Sequence, residues 1–418
     1  MNAREQRGIA IATTCKIQRY VAGYLVPSQS APGAHYQVDP TQPRCNCKDF
    51  QERNEPCKHV FAGRYTIERE RNPDGTVTQT ETITVVEKKT YSQDWPKYNL
   101  AQTTEKNWFL KLLADLCHTI PRTEPKGGKK GGRPTVPLAD TVFAACFKVY
   151  SGYSARRFTC DLQDAEQSGY IRKAIHFNSV LAVRDSEATT PILANLLTVS
   201  ATPLKAIETE WAVDSTGFSG CRYIRWTDQK YGMPAKKLAW VKARTICGTR
   251  TNVIAVAEVL GQDTGDSPQF PGLVKAAART FTIDEVSADK AYANGDNFDA
   301  VESVGGRLYA AFRNNTTGGV GGSFGKAYHL FCLNKDEYME HYHRRSMIES
   351  TYSMVKRKFG DSVKSKSDLA MKNEVFAKFV CHNICCVISA IYERGIDPKF
   401  LGLPAVEIDC TKTEAVAQ

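Results

Sequence analysis

Nowhere in the 418 residues does an apolar stretch reach the roughly 18 uncharged residues that a membrane-spanning helix needs, so no membrane partner is expected. The first residues lack the apolar core of a secretory signal, which speaks against export. No internal repeat is found, which speaks against a solenoid or propeller. Without a sign of export, the 14 cysteines are expected as reduced thiols or metal ligands, not disulfides. Basic charge is plentiful by contrast. The 55 Lys and Arg outnumber 45 Asp and Glu to leave a formal +10, and a pI near 8.9 gives mild attraction to polyanions. The length suits two to three domains.

The spacing of Tyr342, Arg345, Glu349 and Lys356 predicts that one helix presents all four within an arc of about 60°. Beside them Ile348, Tyr352, Val355 and Phe359 recur at the period of a stripe packed on a core. The helix is therefore read as having a buried side and a working side, on which an acid stands between cations suited to a phosphodiester backbone. Two more carboxylates are expected at strand C-termini, a usual place for active-site groups in α/β sheets. Asp214 follows Trp211-Ala212-Val213, and Asp289 follows the alternating run from Phe281 to Ala288. Between them strands are read around Tyr223–Trp226, Leu238–Ile246 and Asn252–Val259, then a helix from Pro268 to Ala278. After Asp289 come a helix around Asn297–Val304, a strand over Arg307–Phe312 and the helix carrying Glu349. A lone Asp at a strand end is ordinarily a cap or turn residue, but three acids in these elements beside a cationic helix face favour catalysis.

A second constellation is Cys45-x-Cys47, nine residues, then Cys57-x-His59. Paired Cys/Cys and Cys/His ligands suit tetrahedral zinc, and four filled positions make such a metal structural. Short strands are read at Tyr24–Val26 and His35–Val38 around a turn at Gly33, with a helix beginning at Val60.

In the order of its elements the C-terminal part resembles the DDE transposases of bacterial insertion sequences, whose last helix carries a tyrosine, arginine, glutamate and lysine signature. Tyr-x2-Arg-x3-Glu-x6-Lys in this chain matches it in full. Val213-Asp214-Ser215-Thr216-Gly217, Gly265-Asp266-Ser267-Pro268, Ser287-Ala288-Asp289-Lys290-Ala291-Tyr292 and the stretch around His382-Asn383-Ile384 look similar as well. The 59 residues between Asp289 and Glu349 leave no room for the large β insertion that some relatives carry. The resemblance implies a ribonuclease-H-like α/β fold, a mixed sheet flanked by helices. It implies two-metal-ion cleavage of transposon ends and joining of the freed 3′-hydroxyl to target DNA. Asp214 would bridge two Mg2+ (or Mn2+) ions, Asp289 and Glu349 would each complete one, and Arg345, Lys356 and Tyr342 would hold DNA near the scissile bond. Double-stranded DNA, a homodimer on paired ends and a bacterial cytoplasmic, nucleoid-associated setting follow by analogy. A nuclease that cuts without joining, or an inactive DNA-binding derivative, are the alternatives. The Cys/His cluster in turn resembles a SWIM zinc finger, with one structural Zn2+.

The expected organisation is a finger over 1–72, a connecting strand or linker over 73–96 that includes the Thr-rich run 76–86, a helical basic DNA-binding region over 97–205, the catalytic domain over 206–400 and a tail over 401–418. The basic region is read as helices around Lys106–Cys117, Ala139–Tyr150 and Phe158–Ala165. A glycine-rich arm holds Lys129, Lys130 and Arg133, which are candidate DNA contacts. In the last helix Cys381, His382, Cys385 and Cys386 suggest a second metal, but the helix is apolar nearly all round and is read as core.

Overall fold

Pro27, at the end of one strand, and His35, at the start of the next, bracket a turn. There the Ser28 hydroxyl accepts the N–H groups of Ser30 and Ala31, and Gly33 takes a φ of +83° that a side chain would resist. The hairpin belongs to one of two compact units, Met1–Ser92 and Gln93–Gln418. The computed structural model describes residues 3–20, 23–31, 33–40, 42–71, 77–83, 94–121, 136–220, 230, 240–260, 267–313, 316 and 321–400.

The first unit opens with helix α1 (Ala3–Thr14). An antiparallel sheet follows, with β1 (Gln18–Tyr20), β2 (Gly23–Pro27), β3 (His35–Asp39) and β4 (Arg44–Cys45) in sequential order. Helices α2 (Lys48–Arg53) and α3 (Lys58–Arg64) come next. Ile11, Val26, Val38, Val60 and Ala62 form the core with Cys45, Cys47 and Cys57. Helix α1 is not among the expected elements. It approaches α3 so closely that a Cβ at Gly8 would lie 2.4 Å from Cβ of Phe61, so glycine there has a packing reason. The expected strand over 76–86 is β6 (Val77–Ile83), paired antiparallel with β5 (Tyr65–Arg71).

The second unit begins with helices α4 (Trp95–Thr103), α5 (Glu105–His118), α6 (Leu138–Ser151), α7 (Phe158–Gln167), α8 (Phe177–Arg184) and α9 (Thr189–Ala201). Then come β7 (Glu210–Ser219), β8 (Trp240–Gly248), β9 (Ile254–Leu260), α10 (Phe270–Ala278), β10 (Glu285–Ala288), α11 (Gly295–Glu302) and β11 (Arg307–Ala310). The chain closes with α12 (Gly322–Leu333), α13 (Lys335–His343), α14 (Ser346–Phe359) and α15 (Asp368–Arg394). The sheet order is β11-β10-β7-β8-β9. β8 runs antiparallel to both neighbours, and β10 runs parallel to β7 and β11. Three antiparallel strands followed by two parallel ones, with helices on the sheet, make the mixed α/β arrangement expected of a ribonuclease-H-like domain. One hydrophobic core runs from Ala101 to Ala390, so it crosses the boundary expected at 205/206. Helix α15 is long and apolar enough to cross a membrane, yet 78% of that window is buried in the fold. Asn383 staples it in place. Its amide nitrogen donates to the carbonyls of Leu197 (3.2 Å) and Ile254 (2.7 Å) and to the Ser200 hydroxyl (2.9 Å), while its oxygen accepts from the Ile254 N–H at 2.8 Å.

Three expectations are corrected. Asp214 does not end its strand, because β7 continues to Ser219 and is held there by pairing with β8. Tyr342 does not share a helix with Glu349: the chain breaks at Arg344–Arg345, between α13 and α14. Helices α4, α8, α9, α12 and α13 add to those expected from the sequence. The expected strand at 223–226, Gly265 and Asp266 of the stretch Gly265-Asp266-Ser267-Pro268, and the arm with Lys129, Lys130 and Arg133 lie outside the described residues.

Candidate catalytic and metal sites

Parallel pairing of Ala288 with Val213 sets the ends of β10 and of the buried segment of β7 side by side, which brings Asp289 and Asp214 to one level of the sheet. Asp289 caps a short 3-10 turn, Lys290–Tyr292, through its own carboxylate, which accepts the Lys290 N–H at 2.7 Å. Helix α14 lies over the same place. Ile348, Tyr352 and Val355 are its buried face, and the Tyr352 hydroxyl donates to the Asp214 carbonyl at 2.8 Å and meets the Thr245 hydroxyl at 2.8 Å. The sequence pattern marks Tyr352 only as core. The structure shows that it also fixes the backbone of an acid.

Arg345 joins the acids. Its guanidinium donates to Asp214 Oδ2 at 3.1 Å and to Glu349 Oε1 at 2.9 Å. The expected phosphate-gripping cation thus faces the carboxylates. Asp214 is 24% exposed and Arg345 23%, whereas Glu349 is 61% exposed. Burial pushes the Asp214 carboxyl above the usual range. The Ser215 N–H and Arg345 pull it down, and the nearby charges of Asp289 and Glu349 push it up. Arg344, which no spacing argument singles out, pins the helix break by ion pairs to Glu210 at 2.7 Å and Glu285 at 2.8 Å. His341 meets the same Glu285 oxygen at 2.8 Å. Half-buried Tyr342 stands in this break, its carbonyl accepting the Arg345 N–H at 3.0 Å. Lys356 lies farther along α14, its ammonium 5.6 Å from the centre of the Phe218 ring, and burial lowers its pKa.

The donor set is all oxygen, as magnesium prefers. Asp214 and Glu349 already share one cation, the guanidinium, and this shows that the two carboxylates converge on a common charge. Among the described residues only the Cys/His cluster has three or more ligand atoms all within 4.8 Å of one another, so the three acids are spread more widely. Asp214, Asp289 and Glu349 are the residues that would hold divalent ions here.

In the first unit Cys45, Cys47, Cys57 and His59 come together from β4, its following turn and the start of α3, all buried. Around tetrahedral zinc, ligand atoms stand roughly 3.5–3.8 Å apart. His59 Nδ1 lies 3.9 Å from the Cys45 sulfur and 3.8 Å from that of Cys57. His59 Nε2 is buried without a hydrogen-bond partner, and the ring packs against Tyr36 with ring centres 4.4 Å apart. The hydrogen bond from Cys45 lowers the pKa of the Cys57 thiol, in the direction a metal ligand needs. The set fits a structural Zn2+. The described cysteines elsewhere are free thiols, and Cys381, His382 and Cys386 are buried along α15 as core residues.

Two family models match the chain. Residues 207–384 match the family model described as transposase DDE domain, and residues 36–62 match that of the SWIM zinc finger. Comparison with curated proteins and with solved structures returns no match.

Proposed function

We propose that this chain, which carries a transposase DDE domain and a SWIM zinc finger, cuts the ends of a transposon and joins them to target DNA with Asp214, Asp289 and Glu349 as its catalytic acids. The observation that carries this reading is the shared guanidinium: Arg345 draws together Asp214, 131 residues away in sequence, and Glu349 on the next turn of its own helix segment. Two divalent ions held by the three carboxylates would activate the attacking oxygen and stabilise the leaving one. Asp214, backed by the Ser215 N–H and the Tyr352 hydroxyl, is the rigid central ligand. Asp289, next to it across the β7–β10 pairing, and Glu349 on α14 would complete the ligand set. Arg345 would exchange its carboxylates for a DNA phosphate when the ions are bound, and Lys356 extends the positive charge along α14.

In the joining step the 3′-hydroxyl freed by cleavage attacks a target phosphodiester. One P–O bond forms as one breaks, and the proton given up by the attacking hydroxyl is matched by one taken up by the departing 3′-oxygen of the target strand, so no external energy source is needed. By analogy with the family, the active form is a homodimer holding two DNA ends, in a bacterial cytoplasm where it meets the nucleoid. The zinc finger supplies a folded recognition module for DNA or for a partner subunit.

Asp214→Asn, Asp289→Asn and Glu349→Gln test the reading, since each keeps the shape and removes a metal-binding charge. Magnesium-dependent cleavage should fall by roughly 10^3-fold or more in each while duplex binding persists, because cationic groups hold the DNA. Cleavage at wild-type rate in any one removes that residue from the site. Cutting without joined products would make the chain a nuclease.

A further inference from the structure

Two buried charges have no part in the chemistry above. On α15, Lys378 is 1% exposed and Glu374 3% exposed, in a helix that is otherwise core. Charges are rarely buried unless paired, because their desolvation is costly. Both act on one loop, the segment 360–366 that follows α14. Lys378 donates to the carbonyls of Gly360 (2.9 Å) and Ser362 (2.8 Å). The Glu374 carboxylate accepts the N–H groups of Lys364 and Ser365, each at 2.9 Å, and the Ser365 hydroxyl at 2.7 Å. Ser219, the last residue of β7, adds backbone bonds to Asp361 (3.2 Å) and Val363 (2.9 Å).

The loop so fixed touches a second one. Lys364 donates to the Gly152 carbonyl at 2.8 Å, and Lys148 donates to that of Tyr153. The two loops present Arg156, Arg157, Lys364 and Lys366 to solvent with one acid of their own, Asp361, and Tyr153 stands among them 54% exposed.

We propose that loops 152–157 and 360–366 form a preorganised surface for the phosphodiester backbone of the duplex flanking the cut. This rests on the DNA-cleaving reading and adds a second binding surface to it. Positive charge runs toward the surface from the acids. From Asp214 to Phe218 the β7 strand is tracked by α14, with Tyr352 bonded at Asp214 and Lys356 over Phe218, and Ser219 then meets the loop. Five residues of strand span about 17 Å, which is about five base pairs of duplex at roughly 3.4 Å each. A loop held by buried charges loses little freedom when the backbone settles on it.

The test compares the full chain with the variant Arg156→Ala/Arg157→Ala/Lys366→Ala, all at exposed positions, without divalent metal. Each binds a long duplex carrying the element's terminal sequence, and one truncated within about five base pairs of the cut on the flanking side. On the long duplex the slope of log affinity against log salt should fall by about 2–3, at about 0.9 for each phosphate that the variant leaves unneutralised. On the short duplex wild type and variant should bind alike. Equal slopes on the long duplex, or an equal fall in affinity on both, overturn the surface. Magnesium-dependent cleavage of the short duplex, measured separately, reports on the catalytic acids, so a failure there with the slope difference intact indicts the acids and not the surface.

Discussion

At the scale of single residues, Asp289 is legible at the end of its strand and Glu349 on its helix, whereas Asp214 stands inside a strand that the sequence pattern ends there. The direction in which Arg345 points is not legible, since a cation three or four residues from an acid can reach either the acid or an outside phosphate. The structure turns it to Asp214 and Glu349, and this makes the arginine a competitor of the metal. In DNA-free protein, Arg345→Ala should therefore bind Mn2+ several-fold more tightly, where tenfold corresponds to about 1.4 kcal/mol, while binding DNA more weakly. Titration of Mn2+ followed by electron paramagnetic resonance measures it, and unchanged or weaker Mn2+ affinity would refute the competition. The same titration against pH tests Asp214. Burial raises its pKa and the metal needs the deprotonated form, so Mn2+ affinity should begin to fall at a higher pH than for an exposed aspartate. It should be fully developed only above the raised pKa.

At the scale of elements, α14 shows what a period can and cannot tell. Its stripe is readable, and Ile348 and Val355 are fully buried. Ile348→Ala should thus cost about 2–5 kcal/mol, seen as a lowered denaturant midpoint, with Lys356→Ala leaving that midpoint near wild type. The break before α14 is not readable. No glycine or proline marks Arg344–Arg345, and the ties that hold the break, to Glu210 and Glu285, come from strands distant in sequence. Helix α12 is obscured for a local reason, the glycine-rich run before it. Helix α15 is legible as core, and its His382 gives a pH test. Burial depresses this histidine to about 4 from 6.5, so the unfolded chain takes up a proton first. Stability should fall as pH drops from about 6.5 to about 4 and level off below, by about 3 kcal/mol in all. His382→Gln, able to donate to the Asn252 carbonyl that now faces Nε2 at 2.8 Å, should flatten that slope in urea unfolding. An unaltered slope would place the titration elsewhere.

At the scale of the whole molecule, the α/β class of the second unit follows from the order of its strand-like and helix-like stretches and from the family resemblance, not from any reading of which strands pair. The partition does not, since the helices before residue 205 carry apolar faces whose partners, α15 and β9, lie far along the chain. Two units with separate cores should lose their structure separately. The first has a small core built around Cys45, Cys47, Cys57 and His59, so its folding should depend on zinc. The five tryptophans, Trp95, Trp108, Trp211, Trp226 and Trp240, all fall after residue 92, so indole fluorescence reports the second unit alone. Chelating zinc, or making Cys45→Ser with Cys57→Ser, should reduce the far-ultraviolet circular dichroism and release one zinc per chain. The tryptophan-monitored melting temperature should stay within about 2 °C, which for a unit this large is about 1.4 kcal/mol. A fluorescence transition that shifts with the metal would show that the second unit leans on the finger for its stability. Zinc retained by the double variant would mean that these thiols are not its ligands.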